Sequence, residues 1–112
     1  VKGVVVLKGA EYLESEINNF LLNFKHRSTY ELLHNYHFGG YARNNKELIA
    51  FMRKFYEITG IKTDPIYSGK MFYGLIEQLK NENDEKTIIA LHSGGLQGIE
   101  GFEQRYNLKI YE

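Results

Sequence analysis

The sequence contains no cysteine and no tryptophan, and proline occurs once, at Pro65. Without cysteine there is no disulfide framework, no thiolate metal site and no thiol nucleophile. This composition fits a reducing cytosol, and a cytoplasmic protein is expected. Charge of one sign is also missing: 14 Lys and Arg balance 14 Asp and Glu. A neutral chain gives no electrostatic basis for binding nucleic acid or an anionic membrane. Long hydrophobic runs are absent too. An apolar run such as Val4-Val5-Val6-Leu7 falls far short of the roughly 20 residues that span a bilayer. No signal peptide is read, because no charged region leads into a longer apolar core. At 112 residues the chain suits one small domain or a piece of a larger one.

Aromatic residues, by contrast, are abundant: nine Tyr and seven Phe. Tyrosine has an apolar body and a polar tip, so it can line a pocket as well as fill a core. Val4 to Leu7 reads as a strand buried on both faces, as in a parallel sheet. Tyr12, Leu13, Ile17, Phe20, Leu21 and Phe24 follow at helical spacing. From Thr29 to Phe38 the period changes to two, which predicts a strand ending at Gly39-Gly40. Asn44 and Glu47 have capping-box spacing, and Leu48, Ile49, Met52, Phe55 and Tyr56 then form one helical face, with Gly60 as its stop.

After Asp64-Pro65 a further helix is predicted from about Gly69, with Met71, Phe72, Leu75, Ile76 and Leu79 on one face. Asn81 to Lys86 is polar and reads as a surface loop. Thr87 to Leu91 reads as a second buried strand, followed by a glycine-rich turn and a last helical or irregular segment. The order β, α, β, α, α, β, turn, α is an α/β pattern. Three strands are few for a parallel sheet covered on both faces. The apolar opening strand reads as an interior strand whose neighbours lie elsewhere, so a fragment is expected.

Several positions are candidates for chemistry. Ligands of open α/β sheets sit beyond the carboxyl ends of strands. His92-Ser93-Gly94-Gly95-Leu96-Gln97-Gly98 lies at such a place and is read either as a ligand loop or as a plain tight turn. Gly69-Lys70 lacks the upstream glycine and the following Ser or Thr of a phosphate loop. Lys70 is read instead as a solvated lysine at a helix start. His34 and His37 would face opposite sides of a strand and so make no metal pair. His26, His34 and His37 are read as structural or surface residues, and His92 as a hydrogen-bonded core histidine. No metal site is expected.

Three segments together carry a resemblance: Tyr36-His37-Phe38-Gly39-Gly40-Tyr41, Asp64-Pro65-Ile66-Tyr67-Ser68-Gly69-Lys70, and His92 to Gly98. In this order they resemble the carboxy-terminal third of the D-cysteine desulfhydrase and 1-aminocyclopropane-1-carboxylate (ACC) deaminase family. These are pyridoxal-phosphate enzymes of the tryptophan-synthase β type. Val5-Val6-Leu7-Lys8-Gly9-Ala10 is similar to the segment that follows the family's phosphate loop. The resemblance implies that residues 1–112 are the carboxy-terminal part of a large three-layer α/β/α cofactor domain. It also implies a homodimer, and it places the family's Schiff-base lysine and phosphate loop upstream of position 1. The isolated chain is therefore expected to be inactive.

The same resemblance assigns roles. Tyr41 is expected to face the substrate. Tyr67 is expected to lie against the cofactor ring and to act in acid, base or nucleophilic steps. Ser68, Ser93 and Gly94 are expected beside the cofactor, with the two hydroxyls near the pyridine nitrogen. Ser68 departs from the ACC deaminases, which carry glutamate there. A carboxylate beside the ring nitrogen favours its protonated form and strengthens the electron sink, and a hydroxyl does so less. The expected activity is thus β-elimination from an amino acid such as D-cysteine, with ACC deamination as the alternative. Two further alternatives are a non-catalytic truncated α/β domain and an unrelated small-ligand domain.

Overall fold

The computed structural model describes residues 1–25, 28–82 and 85–112. His26 and part of the loop expected over 81–86 lie outside the described residues. The elements are β1 (Lys2–Val4), α1 (Leu13–Leu21), β2 (Glu31–Leu33), α2 (Lys46–Thr59), α3 (Ser68–Leu79) and α4 (Gly98–Tyr106). Strands β1 and β2 pair in parallel, with Lys2 opposite Glu31, Gly3 opposite Leu32 and Val4 opposite Leu33. Helix α1 is the crossover between them, so the chain opens with a βαβ unit. The ladder is extended by Val5 N–H to the Leu33 carbonyl at 2.9 Å.

Both strands are shorter than the sequence pattern predicts. The first lies two residues earlier, and only Val5 of the expected run is buried. The second stops at Leu33, because Tyr36 to Ala42 turn away through backbone in the left-handed region at Phe38 and Ala42. The strand expected at Thr87 to Leu91 does not form. That segment has no ladder partner among the described residues, and Ile89 and Leu91 are 91% and 79% exposed. Phe20, Leu22 and Phe24 at the end of α1 are exposed as well. The radius of gyration, 15.3 Å, exceeds the roughly 13 Å of a globular domain of this length.

The core lies at the other end. Leu48, Ile49 and Met52 of α2 pack with Phe102 of α4 and with Ile110. Helix α2 starts one residue later than the capping pattern suggests. Asn45, not Asn44, is the cap, and its side-chain oxygen accepts the Leu48 N–H at 2.9 Å. Gly60 ends the helix in the left-handed conformation, as expected. Helix α3 lies close against α2 at Gly69, where a Cβ would come within 2.7 Å of the Asp64 carbonyl and 3.0 Å of the Met52 sulfur. The buried face of α3 therefore runs through Gly69, Lys70, Phe72 and Gly74 rather than through Leu75, Ile76 and Leu79.

The last residues clamp this core. Arg53 donates from Nε to the Ile110 carbonyl at 3.0 Å and from its terminal nitrogen to the Lys109 carbonyl. Glu103 accepts from the Ile110 N–H at 2.7 Å and from Lys109 Nζ at 3.0 Å. The Tyr111 hydroxyl accepts from the Thr63 N–H at 3.0 Å and donates to the Thr63 carbonyl at 2.9 Å. Among the described residues, no buried side-chain polar atom lacks a partner.

The Ile110 N–H, aided by Lys109, holds the Glu103 carboxyl below the usual carboxylate range. A folded value below the unfolded one gives stability above the unfolded value, lost as pH falls through the folded value. Glu103→Gln should therefore lower the urea midpoint at pH 7, and the gap to the parent protein should shrink well below pH 4. Midpoints measured at both pH values check this. An equal gap at pH 3 would mean that packing, not ionisation, carries the effect.

Candidate functional site

Helix α3 is capped from outside by Asp64, which is buried and whose carboxylate takes four hydrogen bonds. Oδ1 accepts the N–H groups of Ile66 and Tyr67 at 2.9 and 2.7 Å. Oδ2 accepts the Ser68 N–H at 2.8 Å and the Ser68 hydroxyl at 2.6 Å. The orphan donors of a helix start are thus satisfied by one side chain, and the negative charge meets the positive end of the helix. Pro65, with no N–H to satisfy, fits between the cap and these donors.

The pattern His-x-Gly-Gly occurs twice, at His37 to Gly40 and at His92 to Gly95, and folds similarly each time. His37 Nδ1 accepts the Gly39 N–H at 3.0 Å, and His92 Nδ1 accepts the Gly94 N–H at 3.1 Å. His92 is half-buried, and its Nε2 lies 2.9 Å from the Lys62 carbonyl. With Nδ1 accepting, the proton of neutral His92 belongs on Nε2, where it donates to that carbonyl.

Both turns meet the Asp64-to-Lys70 segment. A Cβ at Gly95 would lie 2.7 Å from Asp64 Oδ2, and Gly95 has φ of +93°. The position therefore excludes a side chain both by space and by backbone. On the other side, Lys70 donates to the carbonyls of His37 at 2.8 Å and Gly40 at 2.9 Å. Lys70 is 0% exposed, which overturns the expectation of a solvated lysine. Burial pulls its ammonium down to about 8, against the opposing pull of Asp64. Two of its three hydrogens are given to these carbonyls, which tie the amine to the Gly39-Gly40 turn.

This arrangement brings together Tyr41 and Tyr67. Their hydroxyl oxygens lie 3.1 Å apart, and the rings meet edge to face at 6.0 Å between centroids. Tyr41 is 53% and Tyr67 45% exposed, so both present accessible faces. The bond to Tyr41, then partial desolvation, then the charge of nearby Asp64 raise the Tyr67 phenol above its ordinary value of 10. At neutral pH Tyr67 therefore keeps its proton. Two of the three described non-glycine residues with positive φ, Phe38 and Ala42, flank the Gly39-Gly40-Tyr41 turn. Backbone held in this region is strained and gathers at functional sites.

The remaining candidates fall in different places. Ser93 is exposed on its turn, and Gly94 has open space where a Cβ would stand. Ser68 is 2% exposed. Its hydroxyl donates to Asp64 Oδ2 and accepts the Asp64 N–H at 2.8 Å. Ser68 is thus a part of the cap, with its hydrogen already committed. Sequence reasoning assigned no role to Asp64 or Lys70. An Asp just ahead of a helix is a capping signal, and Gly74, four residues after Lys70, marks the same helical face as one that lies close to its neighbours. The larger cavity among those that stand out, about 350 Å³ and lined by Val1, Ile17, Leu21, Tyr30 and Leu32, involves none of these residues.

The chain matches curated proteins over most of its length. It is 29% identical over 105 residues to a Pyrococcus abyssi protein provisionally named 1-aminocyclopropane-1-carboxylate deaminase, covering 88% of this chain and 32% of that protein. It is 32% identical over 102 residues to a Pyrococcus horikoshii protein of the same provisional name, covering 86% and 31%. Over 70 residues it is 39% identical to the Arabidopsis thaliana bifunctional D-cysteine desulfhydrase/1-aminocyclopropane-1-carboxylate deaminase, named as mitochondrial, covering 60% and 18%. The chain is a relative of the ACC deaminase and D-cysteine desulfhydrase proteins. It spans about a third of the length of the first of these relatives. No family model matches it, and no solved structure matches it. Among the described residues, no helix of this ACC deaminase relative is long and apolar enough to cross a membrane.

Gly95→Ala tests the approach of the His92 turn to Asp64. The added methyl must displace the carboxylate that caps α3, in a backbone conformation alanine resists. A loss of about 1–3 kcal/mol is expected, read from urea denaturation. Unchanged stability would show that the His92 turn does not press on Asp64.

Proposed function

We propose that the chain contributes the ring-facing and substrate-facing side of a pyridoxal-phosphate lyase, within a three-layer domain of the tryptophan-synthase β type. The whole protein would act by β-elimination on a small amino acid such as D-cysteine, as a homodimer. The observation that carries this reading is the pair of exposed phenols, Tyr41 and Tyr67, held 3.1 Å apart on two motifs distant in sequence.

The residues present fit the cofactor in part. Exposed aromatic faces at Tyr41 and Tyr67 suit a planar ring, and the Ser93 hydroxyl and the open Gly94 backbone suit its polar edge. Ser68 fits less directly, since its hydroxyl is bound to Asp64; we assign it to positioning. When bound, the cofactor supplies an electron sink for the charge left on the α-carbon. This chain supplies proton handling. Tyr67, whose phenol is raised, offers a hydrogen, and Tyr41 shares it across the phenol pair. In β-elimination a base elsewhere in the full-length protein would take the α-proton, the C–H electron pair would form the Cα–Cβ double bond as the C–S bond breaks, and the sulfur, leaving with its own pair, would take a proton from the phenol pair.

Position 68 favours elimination over ring opening. Ser68 carries no carboxylate where the resemblance to ACC deaminases implies a glutamate, so on this reading the sink is modest. A thiolate leaves readily once the α-proton is gone. A cyclopropane has neither that leaving group nor an α-proton. ACC deamination remains the second reading, favoured by the names of the two Pyrococcus relatives.

Steady-state kinetics of the full-length protein decide between them. Sulfide release from D-cysteine should show a higher kcat/KM than keto-acid formation from ACC. A higher value for ACC would overturn the assignment. Tyr41→Phe should lower kcat by about 10²–10⁴-fold while cofactor binding, followed by its absorbance, stays unchanged. Full turnover in that variant would remove Tyr41 from the site.

A further inference from the structure

We infer that Lys70 is the positioning residue of the Tyr41–Tyr67 pair: its buried amine fastens the turn that carries Tyr41 to the helix that begins beside Tyr67. The inference rests on the reading of those two phenols as the proton-handling groups. Lys70 lies in the first turn of α3, three residues after Tyr67. Its two acceptors are the carbonyls of His37 and Gly40, and Gly40 directly precedes Tyr41. Lys70 therefore links a position three residues from Tyr67 to the residue just before Tyr41 by a hydrogen bond.

The turn needs such a fastening. Phe38 has φ of +53° and Ala42 +55°, conformations that persist only where the surroundings over-determine them. Within the turn, Gly40 N–H reaches the His37 carbonyl at 3.1 Å and Arg43 N–H reaches the Gly40 carbonyl at 3.0 Å. These bonds close the loop on itself; toward α3 the Phe38 ring meets Tyr73 edge to face at 4.8 Å, which holds the start of the turn, while the Gly40 carbonyl next to Tyr41 is held by Lys70. From α4, the Tyr106 hydroxyl reaches the Ala42 carbonyl at 3.2 Å, which holds the far side of Tyr41. The phenol pair itself is exposed, and one hydrogen bond between exposed hydroxyls is too weak to hold two loops in place. Lys70, shielded from water, supplies two.

The test reads the phenol rather than turnover. Tyrosine Cζ chemical shifts of the chain, followed against pH by NMR, report the Tyr67 titration. Tyr41→Phe sets the reference by removing the phenol partner, and Tyr67 should then fall toward 10. Lys70→Met should lower Tyr67 to the same extent although Tyr41 is intact. Lys70→Gln, which keeps a donor in place, decides the matter if Lys70→Met does not fold, and should give a partial fall. Glu103→Gln, which loosens the clamp on Lys109 and Ile110 and touches neither tyrosine, should leave Tyr67 as in the parent. A parental Tyr67 titration in a folded Lys70 variant would overturn the inference, as would an equal fall in Glu103→Gln. In the full-length protein, loss of Lys70 should lower kcat about as much as Tyr41→Phe, with KM little changed. If Tyr67 shifts as expected but the full-length protein eliminates nothing from D-cysteine, the functional reading fails and the positioning role stands.

Discussion

A cation removed from water must be answered by acceptors or lose its charge, and Lys70 meets that demand at the centre of the structure. Two backbone carbonyls take its hydrogens, and the Asp64 carboxylate supplies opposite charge nearby. The answer is incomplete. The ammonium titrates at about 8 in the fold, against roughly 10.4 for a free lysine. Since the folded value lies below the unfolded one, the native state binds fewer protons between those two values. The burial thus opposes folding at neutral pH, and that opposition lifts as pH rises through the window. The core and the carbonyl bonds must outweigh it.

Asp64 and Lys70 divide the work by charge. The carboxylate gathers the donors at the start of α3 and fixes Tyr67 and Ser68 through their own backbone. The ammonium gathers acceptors from the Gly39-Gly40 turn. Each therefore serves a backbone need that the helix or the turn cannot meet alone, and the two tyrosines face each other as a result. Gly95 lets the second histidine turn press on the same carboxylate. A change at any of these three positions reaches the phenol pair without touching it.

The helices were legible because apolar side chains at helical spacing require a face to bury, and α2 has that face. The cap moved by one residue, since Asn44 and Asn45 are chemically equal and only the backbone selects Asn45. The strands were less legible. Alternation from Thr29 to Phe38 predicts an extended chain, but it cannot reveal that Gly39 and Gly40 bend the backbone back toward Lys70. Lys70 itself was misread because a lysine after a helix-start glycine is ordinarily wet. Its burial depends on carbonyls thirty and thirty-three positions away. Motif order points to Tyr41 and Tyr67, but nothing in the order of residues shows that their hydroxyls lie 3.1 Å apart.

The run from Ile88 to Leu91 carries a different kind of consequence. It is apolar, it has no ladder partner among the described residues, and Ile89 and Leu91 stand open to water. Unpaired backbone beside exposed β-branched side chains is a template for strand addition from another molecule.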